Sequence, residues 1–514
     1  MGIIYSNDIT ITFILNHLER SCVYQILYFL WDTDWHIALK ISGYVLISLS
    51  FLGVVGTILL ENRNPVKAMA YIMLLSFVPI LGLVVYYYLG RDLRKKRRFT
   101  LKGSKDETLM LRYWESQRKE IEHLQIQLRH LVASKQEISA MLLNTRHSVL
   151  SRDNRVQVLL NGEEKFPAVM EALRAAKHHI HIEYYIFAAD DVGNEVANIL
   201  VEKLKEGVEV RFIYDDLGSD DIGDIPDLLE EHGAEVFAFS PVLINFYLNA
   251  NYRNHRKIII IDGEVGFTGG INMDARYLNN AKNPVFWRDT HLKLEGDVVN
   301  LLQLQFMMSY RYCSKNTFPF NAPYFRRPDL RENCFVDIVA SGPDSDFPMA
   351  MQTILMAINV ARRSIRISNP YFIPNEQILT ALQMAALAGK NVQLILPFRG
   401  DSFFVQHAAQ SYIKSMLDAG VKVYFYQKGF IHAKSIAIDD NLAIVGSVNL
   451  DYRSFYLNSE IAVVVYDKQV VHKLNSAFEQ DLQDSVHIER RLWKNRSIWE
   501  RFIDAVCRLL TPLL

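Results

Sequence analysis

Asn254-His255-Arg256-Lys257-Ile258-Ile259-Ile260-Ile261-Asp262 returns, 177 residues on, as Ile431-His432-Ala433-Lys434-Ser435-Ile436-Ala437-Ile438-Asp439. Both are H-x-K, four residues, then Asp. Each is followed by a glycine-led turn ending in asparagine: Gly269-Gly270-Ile271-Asn272 and Gly446-Ser447-Val448-Asn449. The β-branched runs predict strands, on which residues two apart face the same way. His255 therefore projects with Lys257, and His432 with Lys434. Asp262 and Asp439 fall on the opposite parity and open a turn, which suits a scaffold hydrogen-bond acceptor better than a proton carrier. One such stretch is ordinary strand sequence; two in matching places, with matching tails, are not.

The repeat extends outward. Val156–Gly162, His179–Phe187 and Val208–Tyr214 read as strands separated by helical stretches that end near Ala176 and Lys205. Val336–Gly342, Ser364–Phe372 and Val392–Leu396 follow the same plan, with helices ending near Ala361 and Leu387. Alternating strands and helices predict an α/β fold, its sheet covered on both faces. Two copies predict two similar lobes, 151–330 and 331–486, related by a pseudo-two-fold axis, with the ligand at their seam.

Two histidines, two lysines and two asparagines suit phosphoryl transfer. The lysines supply fixed positive charge and the asparagines, Asn272 and Asn449, neutral donors for phosphate oxygens. One neutral imidazole can attack phosphorus while the other protonates the leaving alkoxide. Each needs a partner for its second ring nitrogen. Downstream spacing offers Asp289 to His255 and Glu460 to His432. A metal held by the two histidines is disfavoured because Lys257 and Lys434 would repel a dication. His179 and His181 read as strand or surface residues.

The 514 residues carry 56 Lys+Arg against 57 Asp+Glu, a balance that excludes a protein coating nucleic acid by bulk charge. Cys22, Cys313, Cys334 and Cys507 are too scattered for a disulfide framework or zinc finger. Apolar residues concentrate near the start. Ile41–Leu60 is a run of 20 uncharged residues and Ala68–Leu89 one of 22. At about 1.5 Å per residue, each matches a hydrocarbon core of about 30 Å. With polar Glu61–Lys67 between them, they predict a transmembrane helical hairpin within residues 37–98. Six of the eight residues Arg91–Arg98 are basic, which places that end, and the lobes beyond it, in the cytoplasm. Residues 1–36 have no assigned role, and 99–150 read as a helical connector. In 487–514, Trp499, Phe502, Ile503, Val506, Leu509, Leu510 and Leu513 recur at helical spacing. That amphipathic helix either lies on the membrane surface or docks on the second lobe.

The paired motif resembles the phospholipase D superfamily, and from about residue 37 onward the chain is similar to its bacterial cardiolipin synthases. The segments that carry the likeness are Glu61-Asn62-Arg63-Asn64-Pro65, His181–Ile186, Asn251–Lys257, Trp287-Arg288-Asp289-Thr290-His291, Asn369–Pro374 and Asn449–Phe455. The resemblance implies a catalytic set of His255, Lys257, Asp262, His432, Lys434 and Asp439, with His255 as nucleophile and His432 as acid/base. It implies substrate contacts from Asn272, Ser447 and Asn449, no cofactor or metal, and phosphatidylglycerol as the lipid substrate of a multi-pass cytoplasmic-membrane enzyme. A water-excluding wall is expected from aromatic residues near the motifs, such as Tyr184, Tyr185, Tyr371, Phe372 and Phe430, with membership of the core as the alternative for several of them. A membrane phospholipase D using water, a nucleic-acid phosphodiesterase and a non-catalytic scaffold are the competing readings; the anchor and near-neutral charge oppose the second, the two intact motifs the third.

Overall fold

The computed structural model describes residues 34–61, 65–78, 82–83, 85–86, 123–124 and 126–128. From 135 to 509 it describes all but 146–147, 242–251, 315–321, 327–329, 331 and 344. The segment 1–33, the basic run 91–98, Asn251, and most of the expected connector lie outside the described residues; from the connector, the helix Gln136–Asn144 is described. The chain divides into two units, 1–97 and 98–514.

In the first unit, Asp34–Glu61 forms a helix of 28 residues and Pro65–Phe77 one of 13. They pack through Ile58, Ala68 and Leu75, which are buried. Among the residues whose side chains are described, no helix is long and apolar enough to cross a membrane. The helical backbone of Asp34–Glu61 does run unbroken through the whole uncharged Ile41–Leu60 stretch.

The second unit is built on one continuous sheet of fifteen strands. From one edge its first half runs Glu235–Phe239, Glu209–Asp215, His179–Tyr184, Lys257–Ile261, Val265–Gly269, Thr290–Gly296 and Ser151–Leu160. The second half continues with Asn333–Ser341, Glu460–Tyr466, Leu442–Gly446, Ser435–Ile438, Ser364–Ser368, Asn391–Pro397, Lys422–Tyr426 and Ser485–His487. The two expected lobes are thus halves of one sheet, joined where Ser151–Leu160 pairs antiparallel with Asn333–Ser341. Nearly every central strand residue is buried, as a sheet with helices on both faces requires. His179 and His181 belong to this interior rather than to the surface; both are fully buried, and His181 Nδ1 lies 3.0 Å from Gln303 Oε1.

Each motif aspartate ends its strand in the left-handed region, Asp262 at φ 54° and Asp439 at φ 52°, a conformation that a short polar side chain tolerates. Their carboxylates each accept three backbone N–H groups. Asp262 takes those of Lys177, His178 and His179, and Asp439 those of Arg362, Arg363 and Ser364. Lys135 adds an ion pair to Asp439 at 3.0 Å. These aspartates fasten the helix-to-strand turn of each half. Their listing with the catalytic set is corrected: they sit at the far end of the strand from the histidines.

Asp262→Ala and Asp439→Ala should therefore each lower stability by at least about 2 kcal/mol, since buried amides lose charged acceptors. Asp262→Asn, which keeps one acceptor oxygen and tolerates the backbone, should recover part of the loss. Apparent melting temperatures of the purified full chain check both.

Candidate active site

Neither histidine is on its strand. His255 and His432 sit just ahead of Lys257–Ile261 and Ser435–Ile438, where each approaching segment crosses to the other half of the sheet. The crossing is held by backbone hydrogen bonds. His255 N–H donates to Ser459 O at 2.9 Å, and Ser459 N–H donates to Arg253 O at 2.8 Å. On the other side Gly429–Ile431 pairs in parallel with Phe286–Arg288, and His432 N–H donates to Arg288 O at 2.7 Å. Within its own half, the first crossing is fixed by Arg253 forking onto Asp215 and by Asn254 donating to Glu183 at 2.6 Å. The second is anchored by Arg288 on Asp481 at 2.9 Å.

These clamps reverse the expected partners. His255 Nδ1 lies 2.9 Å from Glu460 Oε2, and His432 Nδ1 lies 2.8 Å from Asp289 Oδ2. Each carboxylate orients the histidine of the opposite half. The reason is strand order: in each half one strand separates the acid's strand from that half's histidine strand, so they stand about 10 Å apart. The partner half's histidine is delivered directly to the acid.

Each carboxylate rests on its own glycine-led turn. A Cβ at Gly270 would stand 2.2 Å from Asp289 Oδ1, so only glycine fits there. At the matching position, Ser447 is fully buried and donates to Glu460, as does Ser454 at 2.8 Å. Ser447 is therefore a support for Glu460, correcting its assignment as a substrate contact. Burial pushes Glu460 up, but His255, Lys257 and Ser447 outweigh it and hold the carboxyl below its usual value.

With Nδ1 engaged, each ring offers Nε2 to the shared cavity of about 370 Å3 that both histidines line. Asn272 and Asn449 line it too, each with a buried amide oxygen that has no partner among the described residues. Lys257 and Lys434 reach back to the backbone carbonyls of His255 and His432. Burial lowers the Lys257 ammonium to about 7 and that of Lys434 to about 8. Burial also lowers both imidazoles, His432 to about 3 with Lys434 adding to the effect.

The expected wall is half right. The Tyr185 ring centroid stands 4.7 Å from that of His255, and those of Tyr371 and Phe430 stand 6.3 Å and 5.9 Å from that of His432. Tyr184 and Phe372 are fully buried in the core. Sequence reading assigned no site role to Arg276, Tyr277, Trp287, Asp401, Asp451 or Arg453, all of which line the cavity, although Trp287, Asp451 and Arg453 stand in the segments that carry the likeness. Tyr277 O–H also reaches His432 Nδ1 at 3.1 Å. A signal for several was present, because the repeat runs on past the asparagines as Asn272-x-Asp274-x-Arg276 and Asn449-x-Asp451-x-Arg453.

A family model described as cardiolipin synthase, PLD-like domain, matches residues 169–297 and again 354–482. Cardiolipin synthase 1 of Bacillus anthracis is 36% identical over 96% of this chain and 97% of its own length. The cardiolipin synthase of Alkalihalophilus pseudofirmus is 39% identical over 91% of this chain and 92% of its own. Among solved structures, the phosphatidylserine synthase of Haemophilus influenzae shares the fold, with a TM-score of 0.57 at 14% identity, covering 73% of this chain and 96% of that one.

The lysine values set a pH dependence. A phosphodiester anion needs ammonium partners, and the free enzyme loses them as pH rises past about 7 and then about 8. Because kcat/KM reports the free enzyme, it should fall between pH 7 and 9. In the complex the bound anion favours the ammonium forms, so kcat should fall later. Equal alkaline limbs in both profiles would contradict this origin.

Proposed function

Because the chain belongs to the cardiolipin synthase family, whose phospholipase D-like domain it carries twice, we propose that its shared cavity performs the transfer in two steps through a phosphohistidine. The chain is a phosphatidyltransferase that makes cardiolipin. The carrying observation is the pair of imidazoles on one cavity, each with Nδ1 bound to a carboxylate from the opposite half.

In the first step His255 Nε2 attacks the phosphorus of one phosphatidylglycerol. A P–N bond forms, the bond to the headgroup glycerol oxygen breaks, and His432 protonates that oxygen as glycerol leaves. His432 takes that proton from solvent as substrate binds: burial, with Lys434 adding to it, lowers the imidazole to about 3, and the bound phosphate anion favours the imidazolium. In the second step neutral His432 takes the proton from the terminal hydroxyl of another phosphatidylglycerol. That oxygen attacks phosphorus, the P–N bond breaks, and cardiolipin is released. Lys257, Lys434, Asn272 and Asn449 stabilise the added negative charge, the work a metal would otherwise do. Aromatic rings around His432 limit the access of water to the intermediate.

The reading includes a membrane hairpin at residues 37–98, phosphatidylglycerol drawn from the bilayer, and catalytic halves on the cytoplasmic side. It is supported by the uncharged 41–60 and 68–89 stretches and by outward apolar side chains such as Leu49, Leu52, Leu60 and Phe77. Thr57 and Ser76 return their hydroxyls to Gly53 O and Ile72 O, which satisfies them without water.

A phosphodiester with a nitrophenol leaving group, which needs no protonation, separates the two histidines. Asp289→Asn and His432→Ala should both recover a single-turnover burst of nitrophenol; Glu460→Gln and His255→Ala should not, with losses of about 100-fold or more. The opposite grouping would reverse the roles. With the natural lipid, excess chelator should leave cardiolipin formation unchanged; loss restored by a divalent ion would refute the charge assignment.

A further inference from the structure

After its last strand the chain adds two helices, Arg490–Lys494 and Ile498–Leu509, that pack on the helix Phe403–Ala419. The final helix shows three faces. Asp504 and Cys507 turn inward, where Asp504 lies 2.8 Å from His407 Nδ1 and accepts from Arg496 at 2.7 Å. Trp499, Phe502, Val506 and Leu509 turn outward, with Trp499 72% and Leu509 77% exposed. Arg501 and Arg508 occupy the third face, which at a helical period of about 3.6 residues directly borders the apolar stripe. They open on a cavity of about 480 Å3 whose other charged walls are Lys414, Lys494, Arg496 and Asp504. Five cations thus meet one carboxylate, which Arg496 and His407 already share. Asp418, outside the lining, takes Lys414 at 2.6 Å, Arg490 at 2.5 Å and Lys494 at 3.7 Å, and cations still outnumber carboxylates around the cavity when Arg508 is left out of the count.

We propose that this cavity and the stripe beside it dock the phosphate headgroup of an anionic phospholipid at the bilayer surface, at a site separate from the catalytic cavity. The proposal rests on the membrane-lipid reading above. Charge complementarity calls for an anion, and the adjoining band of Trp499, Phe502 and Leu509 calls for one embedded in hydrocarbon. A basic rim beside an apolar face is the arrangement by which a helix lies in a lipid interface. The site is tied to catalysis by one helix. Ser402 and Val405, at the start of Phe403–Ala419, line the catalytic cavity, and Lys414 on the same helix lines the basic one. Val405 and Lys414 are separated by about 14 Å of helix. Phe403 and Phe404, exposed at that first turn, add apolar surface beside the catalytic mouth. Docking would hold that mouth against the leaflet that supplies the substrate.

The test uses the full chain in nanodiscs and reads Trp499 fluorescence, which needs no turnover. Brominated phosphatidylglycerol should quench Trp499 more than brominated phosphatidylcholine does, the Trp499→Phe variant identifying its share. Lys414→Gln/Arg501→Gln/Arg508→Gln together should remove the preference for the anionic lipid. The same triple variant should raise the KM for phosphatidylglycerol at least about fivefold, the scale of one lost surface contact to anionic lipid, with kcat unchanged. Absence of Trp499 quenching, or an anionic preference that survives the triple substitution, would overturn the proposal. So would loss of the preference on adding inorganic phosphate at constant ionic strength, which would mark a site for a soluble anion. Quenching that persists in a chain forming no cardiolipin would instead count against the reaction proposed above and leave the docking site standing.

Discussion

The catalytic arrangement depends on two hydrogen bonds that cross between halves of the chain: His255 to Glu460 and His432 to Asp289. A carboxylate at imidazole Nδ1 fixes the tautomer and steadies the ring as it gains a proton or a phosphoryl group. Because neither half supplies both members of a pair, neither half can form a working histidine alone. The duplicated fold is thereby committed to one site rather than two. The sheet serves the same end, since its halves are continuous through Ser151–Leu160 and Asn333–Ser341.

Concentrating two lysines, two histidines and two carboxylates in one buried place is costly unless the charges compensate. Here the costs are distributed. Glu460 is held below its usual value, against its burial, by His255, Lys257 and Ser447. Burial lowers both lysines and both imidazoles, which reduces the positive charge that the protein itself must hold there.

Much of this was legible in one strand pattern and its repetition. The H-x-K spacing, the glycine-led turns and the opposite parity of Asp262 and Asp439 led to the fold, the shared cavity and the scaffold role of the aspartates. The partner swap was not legible. Spacing along the chain pairs Asp289 with His255, but hydrogen bonding follows strand order, which places an intervening strand between them. The wall residues were half legible for a similar reason. Tyr184 and Tyr185 are neighbours in sequence, yet the pleat sends one into the core and the other to His255. Arg276 and Arg453 could have been found by following the repeat four residues past each asparagine.

A symmetric motif must still perform an asymmetric reaction, and the differences lie around the histidines rather than in them. His432 is ringed by Trp287, Phe430 and Tyr371 and shares its Nδ1 environment with the Tyr277 hydroxyl. His255 has Tyr185 at its face, and its carboxylate takes two serine hydroxyls that Asp289 lacks at the Gly270 side. Glu460 accepts two serine hydroxyls, whereas Asp289 Oδ1 accepts the Thr290 N–H at 2.7 Å and lies against Gly270. One carboxylate is therefore braced by side chains and the other by backbone. The same sheet geometry thus gives the two histidines unlike surroundings, and the difference begins at one small position in each turn, Gly270 or Ser447.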